Sequence, residues 1–350
     1  DGVLQQATVF PRQVHVTVVN RIKVVSRLDI AQKGLPQDGR SMVLIAGRKI
    51  DIRVSTVPTV HGEKIVMRLL YQDEKLMQLR QLGLAKYILN PYQRMVHSSG
   101  GIILVTGPTG SGKTTTLYAS LAEIDHEARH VITIEEPVEY KLSGYSQIEV
   151  KPKLGLTFAN ALRSALRQDP DVIMVGEMRD TETAQIAIQS ALTGHLVFST
   201  VHTNSAPATI TRLIDMGIEP FLVSSTIVGV LAQRLVRRIC PDCRKSYQPH
   251  PEQLRELGIT EKNFSKIKRS FYRGEGCDKC RQTGYRGRIG IHELLKITEG
   301  LKNTILKSSD STTIKKQGLK EKMITLRRDG VNKILHGLTT VEEILSITSE

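Results

Sequence analysis

Tryptophan is absent from this chain, and aromatic residues make up only 4% of its 350 positions. Nowhere do aromatic and basic side chains interleave in the way that stacks bases, which argues against a single-stranded nucleic-acid surface. The formal net charge is nevertheless +14. Such an excess suits a polyanion partner or the handling of nucleotide phosphates, and the second reading is preferred. Also missing is any apolar run of the roughly 18 residues that a membrane span needs. The longest apolar-leaning stretch, residues 221–236, carries Ser224, Ser225, Thr226, Gln233 and Arg234 and reads as a buried helix. No signal-peptide pattern is present, and the chain opens on Asp1 without Met, so it is read as a piece whose N-terminal part was cut away. Internal repeats and low-complexity tracts are lacking. Cysteines number only four, all in two CxxC pairs. That spacing favours a metal site over a disulfide framework.

The length suits two or three compact units. In residues 1–72, Val14, Val18, Ile22, Val25 and Leu28 recur at helical spacing, and Gly34-Leu35-Pro36 stops that helix. Residues 41–46 and 49–55 flank Gly47-Arg48 as a β-hairpin, and a further strand runs over 64–70. This is a small α+β domain. A polar, aperiodic linker is expected over 73–90. From 91 to 235, apolar strands at 102–105, 131–134, 172–175 and 196–200 alternate with helices, which predicts a parallel sheet covered by helices. A tetracysteine region over 236–290 and a helical region over 291–350 complete the division.

The strongest motif is Gly107-Pro108-Thr109-Gly110-Ser111-Gly112-Lys113-Thr114, which matches GxxxxGK[ST] in full between a strand and a helix-compatible stretch that starts at Thr115. Its glycines let consecutive backbone N–H groups converge on phosphate oxygens, and the helix N-terminus adds its positive end. Lys113 is expected on the β- and γ-phosphates of ATP, and the Thr114 hydroxyl on Mg²⁺. The strand at 172–175 ends in Gly176-Glu177, where Glu177 is positioned to orient the attacking water. Gly176 stands where an Asp is commoner, so another group must complete the magnesium shell. Glu135, Glu136 and Glu139 cluster beyond another strand end, an arrangement that is costly unless a cation is shared. His195 and His202 bracket the strand between them, with Thr203 and Asn204 beyond, and suggest a sensor of the γ-phosphate. Cys240, Cys243, Cys277 and Cys280 supply four thiolates for a closed, structural Zn²⁺. The gap of 33 residues between the pairs is tolerable, because loop-closure entropy grows slowly.

On these motifs the chain resembles the secretion ATPases of type II systems and type IV pili along nearly its whole length. ITIEEPVEY looks like that family's Asp box, LRQDPDVIMVGEMRD its Walker B region, and TGHLVFSTVHTN its His box. The resemblance implies a RecA-like P-loop ATPase core with a parallel sheet, preceded by a small α+β (PAS-like) domain and carrying a tetracysteine zinc-binding insertion. It makes Glu177 the catalytic carboxylate, Glu139 the Asp-box acid, and His195 and His202 the His-box pair. It also assigns Arg40, Arg53 and Arg68, in LPQDGR, DIRVST and GEKIVMRLL, to the nucleotide phosphates. A guanidinium offers phosphate a planar fork of donors. The implied assembly is a homo-hexamer, peripheral on the cytoplasmic face of the bacterial inner membrane and docked to a platform protein, with no nucleic acid. Retraction ATPases lack the tetracysteine element, and GVLAQRLVRRICPDC and GYRGRIGIHELL look more like type II secretion than pilus-assembly members. The alternatives weighed are pilus assembly, a nucleic-acid translocase, and an ATP-binding scaffold without turnover.

Overall fold

The computed structural model describes residues 2–71, 76–259 and 270–348, which form two compact units. The smaller takes in the described residues before 72 together with Glu139–Lys141, and the larger takes in the rest.

In the small unit, α1 (His15–Val25) precedes an antiparallel sheet of β1 (Gln37–Ile45), β2 (Arg48–Thr59) and β3 (Gly62–Tyr71), in that order. The first hairpin turns at Ala46-Gly47, with φ of 50° and 78°, and Ile45 pairs with Arg48. The turn thus falls one residue before the expected Gly47-Arg48. A two-residue loop needs positive φ at both positions, and Gly47 fits the second. The buried face of α1 also differs from expectation. Val19, Lys23 and Ser26 are buried, whereas Val14 and Val25 are exposed. Lys23 forms an ion pair with Glu63 and donates to the Gln32 carbonyl at 2.8 Å. A buried charge held by a partner turns the helix one position away from the face its valines mark.

The large unit opens with α2 (Lys86–Val96), β4 (Gly101–Thr106), α3 (Lys113–Leu121), β5 (Val131–Glu135) and β6 (Ser146–Glu149). Next come α4 (Phe158–Ala165), β7 (Val172–Val175), α5 (Thr181–Leu192), β8 (Leu196–Val201), α6 (Ala206–Asp215) and α7 (Pro220–Thr226). The chain continues through β9 (Ile227–Ile239), β10 (Arg244–Tyr247), α8 (Pro251–Glu256), β11 (Phe271–Gly274) and β12 (Tyr285–Lys296). It closes with α9 (Glu299–Lys307), α10 (Ser311–Lys320), α11 (Leu326–Leu335) and α12 (Val341–Thr348). One sheet runs β12-β9-β4-β8-β7-β5-β6. Its pairs are parallel except β12 against β9. Ile102 to Val105 are fully buried, as a central strand covered on both faces requires.

Three expectations need correction here. Residues 221–236 are helical only to Thr226, and then extend as β9. A strand buried between β4 and β12 has apolar residues on both faces, and such a run cannot be told from a buried helix by period alone. β12 pairs with β9 across the cysteine region, so the sheet continues past 235 and its edge strand falls across the boundary drawn at 290. Of the linker expected at 73–90, residues 73–75 lie outside the described residues. The rest holds a 3-10 turn at Leu79–Leu82 and the start of α2, with Leu79, Leu84, Ile88 and Leu89 buried.

Asp329 on α11 binds this scaffold together. Its carboxylate accepts from Tyr87 Oη on α2 at 2.6 Å, from the His292 backbone N–H on β12 at 2.9 Å, and from Lys333. Burial lowers the pKa of Lys333, while Asp329 opposes that shift.

Candidate active site

β4 ends on Thr106, and residues 107–112 carry the chain into α3. Gly107 and Gly112 adopt φ of 149° and 88°, conformations that strain any residue with a Cβ. At Gly107 an added Cβ would also lie 2.4 Å from the Gln233 carbonyl oxygen. Pro108, Thr109 and Gly110 form the exposed crest of the loop, while Ser111 is buried. Lys113 Nζ donates to the carbonyls of Gly107 at 2.9 Å and Pro108 at 3.1 Å, so the ammonium lies along the loop it follows. Burial lowers the Lys113 pKa, and the Glu177 charge partly offsets that. Thr114 is exposed on the first turn of α3, beside the half-buried Thr115.

β8 separates the loop strand β4 from β7, and Glu177 follows β7 after Gly176. Its carboxylate is only 14% exposed and accepts from Arg179 Nε at 2.7 Å; His202 Nε2 lies 3.5 Å away. The strand ends are pinned together around it. Met178 N–H donates to the Thr200 carbonyl at 2.9 Å, and Thr203 N–H donates to Thr106 Oγ1 at 3.0 Å. A lysine, a carboxylate and an imidazole therefore meet at the C-terminal edge of a parallel sheet, where ligands of open α/β sheets bind.

His195 precedes β8, and its carbonyl accepts from Gly101 N–H at 3.0 Å, at the start of β4. Its ring Nδ1 lies 2.8 Å from the Ser190 carbonyl. It is a strand length, on the order of 20 Å, from the loop in this chain. Of the acids at 135, 136 and 139, Glu135 belongs to the larger unit and Glu139 to the smaller. Glu135 is buried and accepts from Tyr118 Oη at 2.6 Å, Thr133 Oγ1 at 2.7 Å and Gln147 Nε2 at 3.2 Å. Glu139 falls within the small unit, where it pairs with Arg53 Nη2 at 3.2 Å.

Within that unit Arg40, Arg53 and Arg68 stand directly opposite one another on β1, β2 and β3. Directly paired residues share a face, so the three guanidinium groups form one row. Like charges so placed repel unless an anion lies among them.

The sulfurs of Cys240, Cys243, Cys277 and Cys280 lie within 4.8 Å of one another. The separations Cys240–Cys277, Cys243–Cys280 and Cys277–Cys280 are 3.8, 3.9 and 3.6 Å. A tetrahedron with Zn–S bonds of about 2.3 Å has edges of about 3.8 Å, so the four thiols fit zinc. The Cys277 and Gly284 backbone N–H groups both donate to Cys280 Sγ, at 3.2 and 3.3 Å, which supports thiolate character. The cysteines sit on the connection between β9 and β12, where β10 and β11 form a two-stranded sheet.

Two contacts were not singled out from the sequence. Arg179 was visible only as part of GEMRD. Gln233 lay in the stretch read as a helix, so its approach to residues 107–112 had no signal.

Sheet order, loop and strand-end carboxylate together define a P-loop ATPase of the additional-strand class, the extra strand being β8. Residues 1–346 match the family described as Type II/IV secretion system protein, and the chain belongs to that family. It is 48% identical over its whole length to a protein of Vibrio cholerae named type II secretion system ATPase E, covering 69% of that relative. It is 46% identical over its whole length to the type IV pilus assembly ATPase PilB of Thermus thermophilus, covering 39% of that relative. A solved structure of the pilus retraction motor PilT with bound ADP aligns over 91% of this chain and 78% of its own. Sequence identity there is 28%, and the TM-score is 0.63.

Proposed function

We propose that this chain is the ATP-hydrolysing motor of a type II protein secretion machine, working as a homo-hexamer at the cytoplasmic face of the inner membrane. The observation that carries the chemistry is the gathering of Lys113, Glu177 and His202 at the strand ends, with His202 Nε2 3.5 Å from Glu177 and the Glu177 charge acting on Lys113. Backbone N–H groups of residues 110–114 cradle the phosphates, and Lys113 exchanges its two loop carbonyls for phosphate oxygens. Glu177, oriented by Arg179, takes the proton of the attacking water as the terminal phosphate leaves. His202 donates toward the transferred group. Thr114 would hold Mg²⁺, which neutralises charge on the β- and γ-phosphates. Gly176 offers no carboxylate to that ion.

By the family resemblance, Arg40, Arg53 and Arg68 would supply guanidinium groups to nucleotide phosphates, and Glu139 pairs with Arg53 within the small unit. Cys240, Cys243, Cys277 and Cys280 would hold a structural Zn²⁺, which would brace the β9–β12 connection. The domain division expected from sequence, 1–72, 91–235, 236–290 and 291–350, organises this work, with one sheet shared across the last three. An inner-membrane platform protein receives the stroke.

Pilus assembly is the second reading, favoured by the resemblance to the Thermus ATPase. The stretches GVLAQRLVRRICPDC and GYRGRIGIHELL, which look more like type II secretion members, support secretion instead. Genetic complementation separates them, and restoration of secretion without piliation is the expected outcome. ATPase rate measured with single-stranded DNA across a salt series tests a nucleic-acid motor. No stimulation is expected, whereas a steep salt slope would favour translocation.

A further inference from the structure

Gln233 lies on β9 with only 3% of its surface exposed, and its amide is engaged at both ends by the phosphate loop. Nε2 donates to the Ser111 carbonyl at 2.7 Å, and Oε1 accepts from Thr116 Oγ1 on α3 at 2.8 Å. A carbonyl can only accept, so the amide has one possible orientation here. The strand beneath it is firmly held. Ala232 pairs with Thr106, the last residue of β4, and Gln233 itself pairs with His292 on β12. The Gln233 backbone carbonyl meanwhile crowds Gly107. One residue thus touches the first, fifth and sixth positions of the loop and the helix behind it.

The consequence follows from peptide geometry. In a planar trans peptide the C=O of one residue and the N–H of the next point in opposite directions. Tying the Ser111 carbonyl outward to Gln233 therefore turns the Gly112 N–H toward the concave side of the loop, where phosphate oxygens bind. Gly112 has φ of 88°, and without a Cβ this peptide is free to flip unless something holds it. We infer that Gln233 is the positioning residue that sets the Ser111–Gly112 peptide, and with it the di- and triphosphate cradle of the loop. Its effect scales with phosphate and spares the nucleoside. The inference rests on the reading of this loop as the nucleotide site.

The test compares binding of Mg-ADP and of adenosine to the full chain and to Gln233→Met and Gln233→Glu. The apo unfolding midpoint is recorded for each. The methionine fills the space but leaves the buried Ser111 carbonyl without a donor. The glutamate keeps the acceptor for Thr116 and faces that carbonyl with oxygen. Both variants should bind Mg-ADP about tenfold or more weakly while adenosine affinity stays within about twofold, at near-unchanged apo midpoints. Equal losses for ADP and adenosine, or a collapsed midpoint in both variants, would assign Gln233 to the fold alone and overturn the inference. So would ADP binding at wild-type strength in either variant that folds. A wild-type chain that ignores Mg-ADP would instead remove the nucleotide reading itself.

Discussion

The Glu177 charge bears on the ionisation of Lys113. Burial disfavours the lysine ammonium, and the nearby carboxylate restores part of it. Only the ammonium form grips phosphate, so nucleotide affinity should fall on the alkaline side as Lys113 deprotonates, below the ordinary lysine range. Replacing Glu177 by Gln removes the charge that raises the Lys113 pKa. The alkaline limb of Mg-ATP affinity should therefore move to lower pH than in the wild type, read by titrations between about pH 7 and 10. A limb that stays or moves upward would break the proposed coupling. At this scale the sequence was informative where spacing fixes geometry. Residues 107–114 could be read as a phosphate loop because glycine positions and the lysine follow from backbone requirements. His195 and His202 were legible as bracketing one strand, while the strand length that separates them shows only in the fold. Gln233 was invisible because its partners lie more than 110 positions away in sequence.

The three strands of the small unit carry their arginines in register, and that register is the element-scale result. Alternation in β2 was legible, since Ile50 and Val54 are buried opposite Asp51 and Arg53. The alignment of three separate strands on Arg40, Arg53 and Arg68 needed the pairing itself. Arg68 is exposed, so Arg68→Ala should leave stability unchanged or slightly raised, because cross-strand like charges cost about 0.2–1 kcal/mol. Turnover should fall by about tenfold or more, since an arginine on transferred phosphate supplies up to about 10³–10⁵ in rate. Steady-state hydrolysis and thermal unfolding of the same sample check both halves. Normal turnover would leave the row a surface feature. β9 shows the opposite limit of sequence reading, because a doubly buried strand hides its period. Only its place between β4 and β12 makes it a strand.

Across the whole molecule, the long β9–β12 hairpin links the phosphate loop to the cysteine cluster. β9 leaves Gln233 and reaches Cys240 within 7 residues. The two CxxC pairs were legible from spacing as one four-cysteine cluster, which the fold assembles. Their insertion between two sheet strands was not, since the second strand returns only after the second pair. Cys277→Ser should lower bound zinc from about one ion per chain to well below that, and should lower the unfolding midpoint. Metal analysis and calorimetry read the two effects. Full zinc retention would show that Cys277 is no ligand.

The most direct test of the account is a single-turnover assay of the Glu177→Gln chain with Mg-ATP, following retained nucleotide and released phosphate together. The account predicts that ATP stays bound while phosphate release falls to background, because the cradle is intact and the proton acceptor is gone. Phosphate release at the wild-type rate from that variant would contradict it.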